Sequence, residues 1–137
     1  MLLIILLVAI PASAQRYKVL DVPYFHQPGR ECWAASLAMV ICYYYPRLYI
    51  IRGVGVVWDI HRIVGVKYSE GISLKQLERL KEFLQREDLF VKFELTYGLT
   101  WLDVIYDINN GHPIIALLSW SHKGHLIRHA AVITGIF

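Results

Sequence analysis

The sequence predicts an α+β fold in which a central buried helix lies against a small antiparallel sheet. Three observations carry this. After Glu31 a long stretch rich in Ala, Leu and Met holds no charge and no Gly, the pattern of a helix enclosed on all sides. Near the end, two apolar runs flank Ser121-His122-Lys123-Gly124-His125, the pattern of a hairpin. Helical periodicity fills the first part of the chain and strand-like runs the last, an order that separates helices from sheet.

Composition sets the bounds. Of 137 residues, 56% are hydrophobic and 18% charged, with a net charge of +3. Disordered chains need the opposite balance. The cations are scattered singly, which argues against a dedicated nucleic-acid binder. The length suits one domain. Residues 1–10 are uncharged and apolar, and Pro11-Ala12-Ser13-Ala14 follows with the small residues a signal peptidase accepts. We therefore expect a signal peptide over 1–14 and an extracytoplasmic domain over 15–137, with an uncleaved N-terminal anchor as the alternative. The run is too short to span a bilayer by itself, and no later membrane span is expected.

The chain then enters an extended segment punctuated by Pro23, Pro28 and Gly29. It delivers Cys32 to the start of the helix that runs to Pro46. Cys42 lies in the same helix, about 15 Å further along its axis, whereas bridged Cα atoms sit within about 7 Å. The two thiols are therefore expected to stay free, with Cys42 as core packing. At a helix N-terminus the unpaired N–H groups and the macrodipole favour an anion, so Cys32 is placed to act as a thiolate. Gln27 precedes it by five residues and can aim its amide at the same point, as an oxyanion hole requires.

Downstream, Val56, Val57, Ile60, Ile63 and Val64 repeat at helical spacing, with Asp59, His61 and Arg62 expected opposite. Ser73 and Gln76 form a capping box for a helix expected to bury Leu74, Leu77, Leu80 and Leu84. Val91 to Leu95 reads as a short strand, and Thr100 opens a helix that Asn110-Gly111 ends. Ile114 to Trp120 reads as a buried strand, and Leu126 to Phe137 as a second one carrying His129. An imidazole there supplies the base that a cysteine nucleophile needs.

Several segments together resemble a known family. They are Val22-Pro23-Tyr24-Phe25 with Gln27, Cys32-Trp33-Ala34-Ala35-Ser36-Leu37-Ala38-Met39, Gly111-His112-Pro113-Ile114-Ile115, and His129-Ala130-Ala131-Val132-Ile133-Thr134-Gly135. The pattern is similar to the papain-like cysteine peptidases, and within them to the double-glycine-leader (bacteriocin-processing) branch. Trp33 departs from that branch, which usually has Gly there; Trp is the wider papain-like habit. The resemblance implies a papain-like fold with a cleft between helical lobe and sheet. It also implies Cys32 as nucleophile, His129 as general base and Gln27 as oxyanion donor. The implied reaction is hydrolysis of a peptide or isopeptide amide in a peptide or protein substrate, without cofactor or nucleic acid. Such families orient the base with an Asp or Asn on a following strand. Here no Asp, Asn or Glu follows His129, while Asp103, Asp107, Asn109 and Asn110 fall in a helix and its end.

Two other readings fit parts of the sequence. A catalytically impaired relative would keep the cleft and bind peptide without thiol chemistry. A zinc hydrolase would use His122, His125 and His129, although their spacing matches no zinc motif. The strand bearing His129 is also expected to leave an apolar outer edge that a partner strand or a second copy would cover.

Overall fold

The computed structural model describes residues 18–27, 30–67, 71–86 and 98–136. The segment at 1–14 and the strand expected at 91–95 lie outside the described residues, as do the side chains of Leu74, Leu77 and Leu84. The architecture is α+β. In chain order the elements are β1 (Lys18–Val19), α1 (Cys32–Tyr44), α2 (Pro46–Arg52), α3 (Gly55–Val64), α4 (Leu74–Arg86), α5 (Trp101–Asn109), β2 (Ile114–His122), β3 (His125–Ile133) and β4 (Gly135–Ile136). The strands form two antiparallel pairs, β1 with β4 and β2 with β3. Among the described residues, no single helix is long and apolar enough to cross a membrane.

Helix α1 is buried from Trp33 through Cys42, as its uncharged sequence requires. Ala34, Ala35 and Ala38 are fully enclosed, and their small side chains let neighbouring elements approach closely. Around α1 pack Phe25, Val56, Val57, Ile60, Val64, Leu80 and Ala130, with Ile115 and Val132 at the margin. Tyr45 precedes Pro46 and leaves the helical region at φ −126° and ψ 71°. Proline disfavours helical geometry in the residue before it and suits the first turn of the next helix. The chain accordingly restarts as α2, an element the sequence did not announce.

Helix α3 ends on Gly65 at φ +71°, whose N–H donates to the His61 carbonyl at 3.0 Å, a left-handed cap. Its core face comprises Val56, Val57, Ile60, His61 and Val64. Two expectations are corrected here. Ile63 is exposed, and His61 is buried instead of facing solvent. The imidazole is accommodated because Nδ1–H donates to the Val66 carbonyl at 3.1 Å. Its ring also meets Trp33 edge-on at 4.8 Å between centroids.

The capping box expected at Ser73 and Gln76 forms, and the structure adds a second at the start of α5. Ser73 and Gln76 exchange bonds ahead of α4, and Thr100 and Asp103 do so at α5. The side-chain hydrogen bond from Thr100, and then its backbone N–H, hold the Asp103 carboxyl below the ordinary carboxylate range. A depressed folded-state value means that the cap's contribution is present above the ordinary value and is lost as pH falls through the depressed one. Thermal melts of the native protein and of Asp103→Asn are expected to differ at neutral pH and to converge below about pH 4.

Strands β2 and β3 form one long hairpin. Ile114 pairs with Ile133, Leu118 with His129 and His122 with His125. Its turn is Lys123-Gly124 alone, with φ +49° and +77°, the two positive values that match the twist of a hairpin. His122 and His125, expected in the turn, are therefore strand residues. The expectation of a buried strand over Ile114 to Trp120 is corrected. Ile114 to Ala116 are half-buried, and residues from Leu117 outward are exposed, because the ribbon projects past the helices that cover its base.

The last apolar run is not one strand. It breaks at Thr134, whose carbonyl accepts from the Leu20 N–H at 2.7 Å, and β4 crosses to pair with β1. A Cβ on Gly135 would sit 3.0 Å from both the Lys18 carbonyl oxygen and Val19 Cγ2, so the crossing depends on glycine. Leu20, Val104, Ile108 and Ile136 form a second core cluster that fastens α5 to this pair.

Candidate active site

Cys32 is the first residue of α1 and is half-buried. Its N-cap, Glu31, makes no side-chain cap bond, and the first turn holds no acidic residue. The thiol is thus set at the positive end of the helix dipole. A second donor comes from the sheet. Ala130 N–H donates to Cys32 Sγ at 3.4 Å, across 98 residues of sequence. The pairing register explains this contact. Hydrogen-bonded and non-bonded pairs alternate in an antiparallel ladder, and at Ala130 the N–H turns away from β2 toward α1. A helix terminus and a backbone N–H therefore converge on one sulfur.

That contact fixes the neighbourhood of His129, the residue before Ala130, half-buried on the opposite face of the strand. The structure thereby brings Cys32 to the strand segment that carries His129, through the neighbouring Ala130. Gln27 is half-buried at the end of the extended lead-in. Among the described residues neither the Gln27 amide nor the His129 ring makes a hydrogen bond. Catalytic contacts often tighten only when substrate is bound.

The other thiol is of a different kind. Cys42 is free and buried, and desolvation pushes its thiol up to about 11. The outer edge of the base-bearing strand, expected to be bare, is met by Cys32 at Ala130.

The polar side chains of Asp103, Asp107 and Asn110 have partners within and around α5. Asp103 caps α5. Asp107 lies 3.6 Å from His112 Nδ1, and the Asn110 side chain donates to the Tyr106 carbonyl; at Asn109 it is the backbone carbonyl that accepts, from Lys18 Nζ. The three histidines of the zinc reading are also dispersed. His122 and His125 face each other, but His129 is four strand residues away, about 13 Å. Among the described residues no three His, Cys, Asp or Glu side chains gather as a metal site would need.

The model of the papain-like cysteine protease AvrRpt2 family matches residues 16–137. The chain belongs to that family. Its α+β build, with α1 carrying Cys32 against a hairpin carrying His129, is consistent with a papain-like protease. The match is to the AvrRpt2 type, so the likeness to the double-glycine-leader branch rests on the motifs alone. No curated protein and no solved structure matched the chain. For an AvrRpt2-family protease, Cys32 at the helix start was legible from sequence. The Ala130 N–H was not, since only the register of the folded hairpin turns it toward the sulfur.

Proposed function

We propose that this cysteine protease hydrolyses peptide or isopeptide amides through an acyl-enzyme on Cys32. The observation that carries the reading is the Ala130 N–H to Cys32 Sγ contact, which sets the His129 segment beside a thiol at a helix N-terminus. His129 takes the thiol proton, and the thiolate attacks the scissile carbonyl carbon. Gln27 and the α1 backbone N–H groups receive the oxyanion. The C–N bond then breaks as His129 returns the proton to the leaving amine. Water, deprotonated by His129, attacks the thioester and releases the acid and Cys32.

The apolar segment at 1–10 with Ala12-Ser13-Ala14 supports an exported enzyme acting outside the cytoplasm. A second reading, a peptide-binding relative with impaired chemistry, draws on the engagement of the Asp103, Asp107 and Asn110 side chains within and around α5.

Iodoacetamide separates the two readings. At neutral pH the Cys42 thiolate fraction is about one in ten thousand, and its burial excludes reagent. Peptide mass mapping is expected to find Cys32 alkylated well before Cys42. Equal rates would remove the catalytic reading.

A further inference from the structure

We propose that the tip of the β2–β3 hairpin binds one divalent transition-metal ion, of the zinc, nickel or copper class, between His122 and His125. The proposal stands apart from the peptidase reading. The two histidines pair directly across the ribbon, separated along the chain only by the Lys123-Gly124 turn. Residues paired in this way point their side chains to one face, with Cβ atoms about 4.5–5.5 Å apart. A metal holding two imidazole nitrogens at about 2.0–2.1 Å keeps them roughly 3–3.5 Å from each other. Two opposed histidines reach that span by side-chain rotation alone. The ladder also locks the pair. The Ala130 N–H turns out of the ribbon to Cys32, so Ala130 and Leu117 form a non-bonded pair. Alternation then makes His122 and His125 a hydrogen-bonded pair. The two ligands are thus brought together before any ion arrives, which removes much of the ordering cost of binding.

The donor set selects the metal. From Ile114 to Ile136 there is no Asp or Glu, so the tip offers imidazole nitrogen without carboxylate oxygen. Imidazole suits Zn²⁺, Ni²⁺ and Cu²⁺, whereas Ca²⁺ and Mg²⁺ require oxygen ligands. Trp120 and Ile127 pair with each other two residues further in along each strand, which puts them on the same face as the histidines. They are 46% and 36% exposed and give the site an apolar inner wall. Both histidines are exposed, so the outer positions of the ion stay open to water. Three His, Cys, Asp or Glu side chains gather nowhere among the described residues. The tip is therefore a two-ligand surface site and not a hydrolytic centre. Lys123, exposed in the turn, repels a cation, a force that water and salt weaken.

The test uses the full chain without an affinity tag, carrying Cys32→Ala so that the thiol beside the sheet cannot hold the metal. Calorimetric titration with zinc chloride is expected to show one ion per chain, and calcium or magnesium chloride no binding. His122→Ala and His125→Ala are each expected to weaken zinc binding about tenfold or more. His112→Ala, at an exposed histidine ahead of β2, should change nothing. Gly124→Val keeps both imidazoles but puts a β-branched residue at φ +77°, where no neighbouring atom crowds it. By straining the turn alone it should weaken binding by a similar factor. Nickel chloride should quench part of the tryptophan emission, and that part should be missing from Trp120→Phe. Melting curves without metal, expected to match the parent for both histidine variants, show that lost binding is not lost fold. Zinc binding at full strength in either single histidine variant overturns the proposal. Calcium binding as tight as zinc, or zinc binding unchanged by Gly124→Val, overturns it equally.

Discussion

Replacing Cys32 by Ala is expected to lower peptide hydrolysis by about 10⁴-fold or more, and His129→Ala by a comparable factor. In a nucleophile–base pair, loss of either member removes the same covalent step, so the double variant should be hardly worse than either single one. Thermal stability should change little, because Cys32 is only half-buried and His129 lies toward the exposed part of its strand. The measurement is the turnover of one peptide by all four proteins, with melting curves as control. Multiplicative losses in the double variant would mean that the two residues do not act in one step. Binding of peptide by the native protein without turnover would leave the peptide-binding reading in its place.

The largest effect on stability is expected at Ile108. Its side chain is fully enclosed, 0% exposed, in the cluster with Leu20, Val104 and Ile136. Truncation to Ala removes apolar contact and leaves a cavity, which costs about 2–5 kcal/mol. Domains of this size are stable by about 5–15 kcal/mol in total. A fall in Tm of roughly 10–20 °C is therefore expected. Leu102 lies on the same helix but is 75% exposed, and Leu102→Ala should shift stability by less than about 0.5 kcal/mol. Equal melting of the two variants would show that this second cluster does not hold α5 to the β1–β4 pair.

Where local chemistry decides, residues and structure agree. Helix α1 follows from an uncharged run of good helix formers, and the starts of α4 and α5 from Ser73-Gln76 and Thr100-Asp103. Cys32 stood out because a polar nucleophile at a helix start has an electrostatic consequence that needs no tertiary contact. The misses arise where distant parts of the chain decide. His61 sits on a face whose polarity the helical period reads as solvent, yet Trp33 and the Val66 carbonyl give it a buried partnership. Leu117 to Trp120 carry the apolar signature of a core strand, but burial depends on whether a helix covers that stretch, and here none among the described residues does. Thr134 and Gly135 divide the last run because β1, more than a hundred residues upstream, draws β4 to itself.

The 98-residue separation between Cys32 and Ala130 has a consequence for how activity is acquired during folding. The hairpin is a local structure, closed by a two-residue turn, and such ribbons form in about 1–10 μs. Helix α1 is equally local. Neither contains a complete site. The nucleophile gains its sheet-borne donor only when these two early-forming pieces dock, a step that must close a long stretch of chain and comes late for that reason. Partial opening along that seam would disarm the thiol while both pieces kept their secondary structure. A protease built this way falls silent before it unravels, and a half-folded copy carries little power to cut its neighbours.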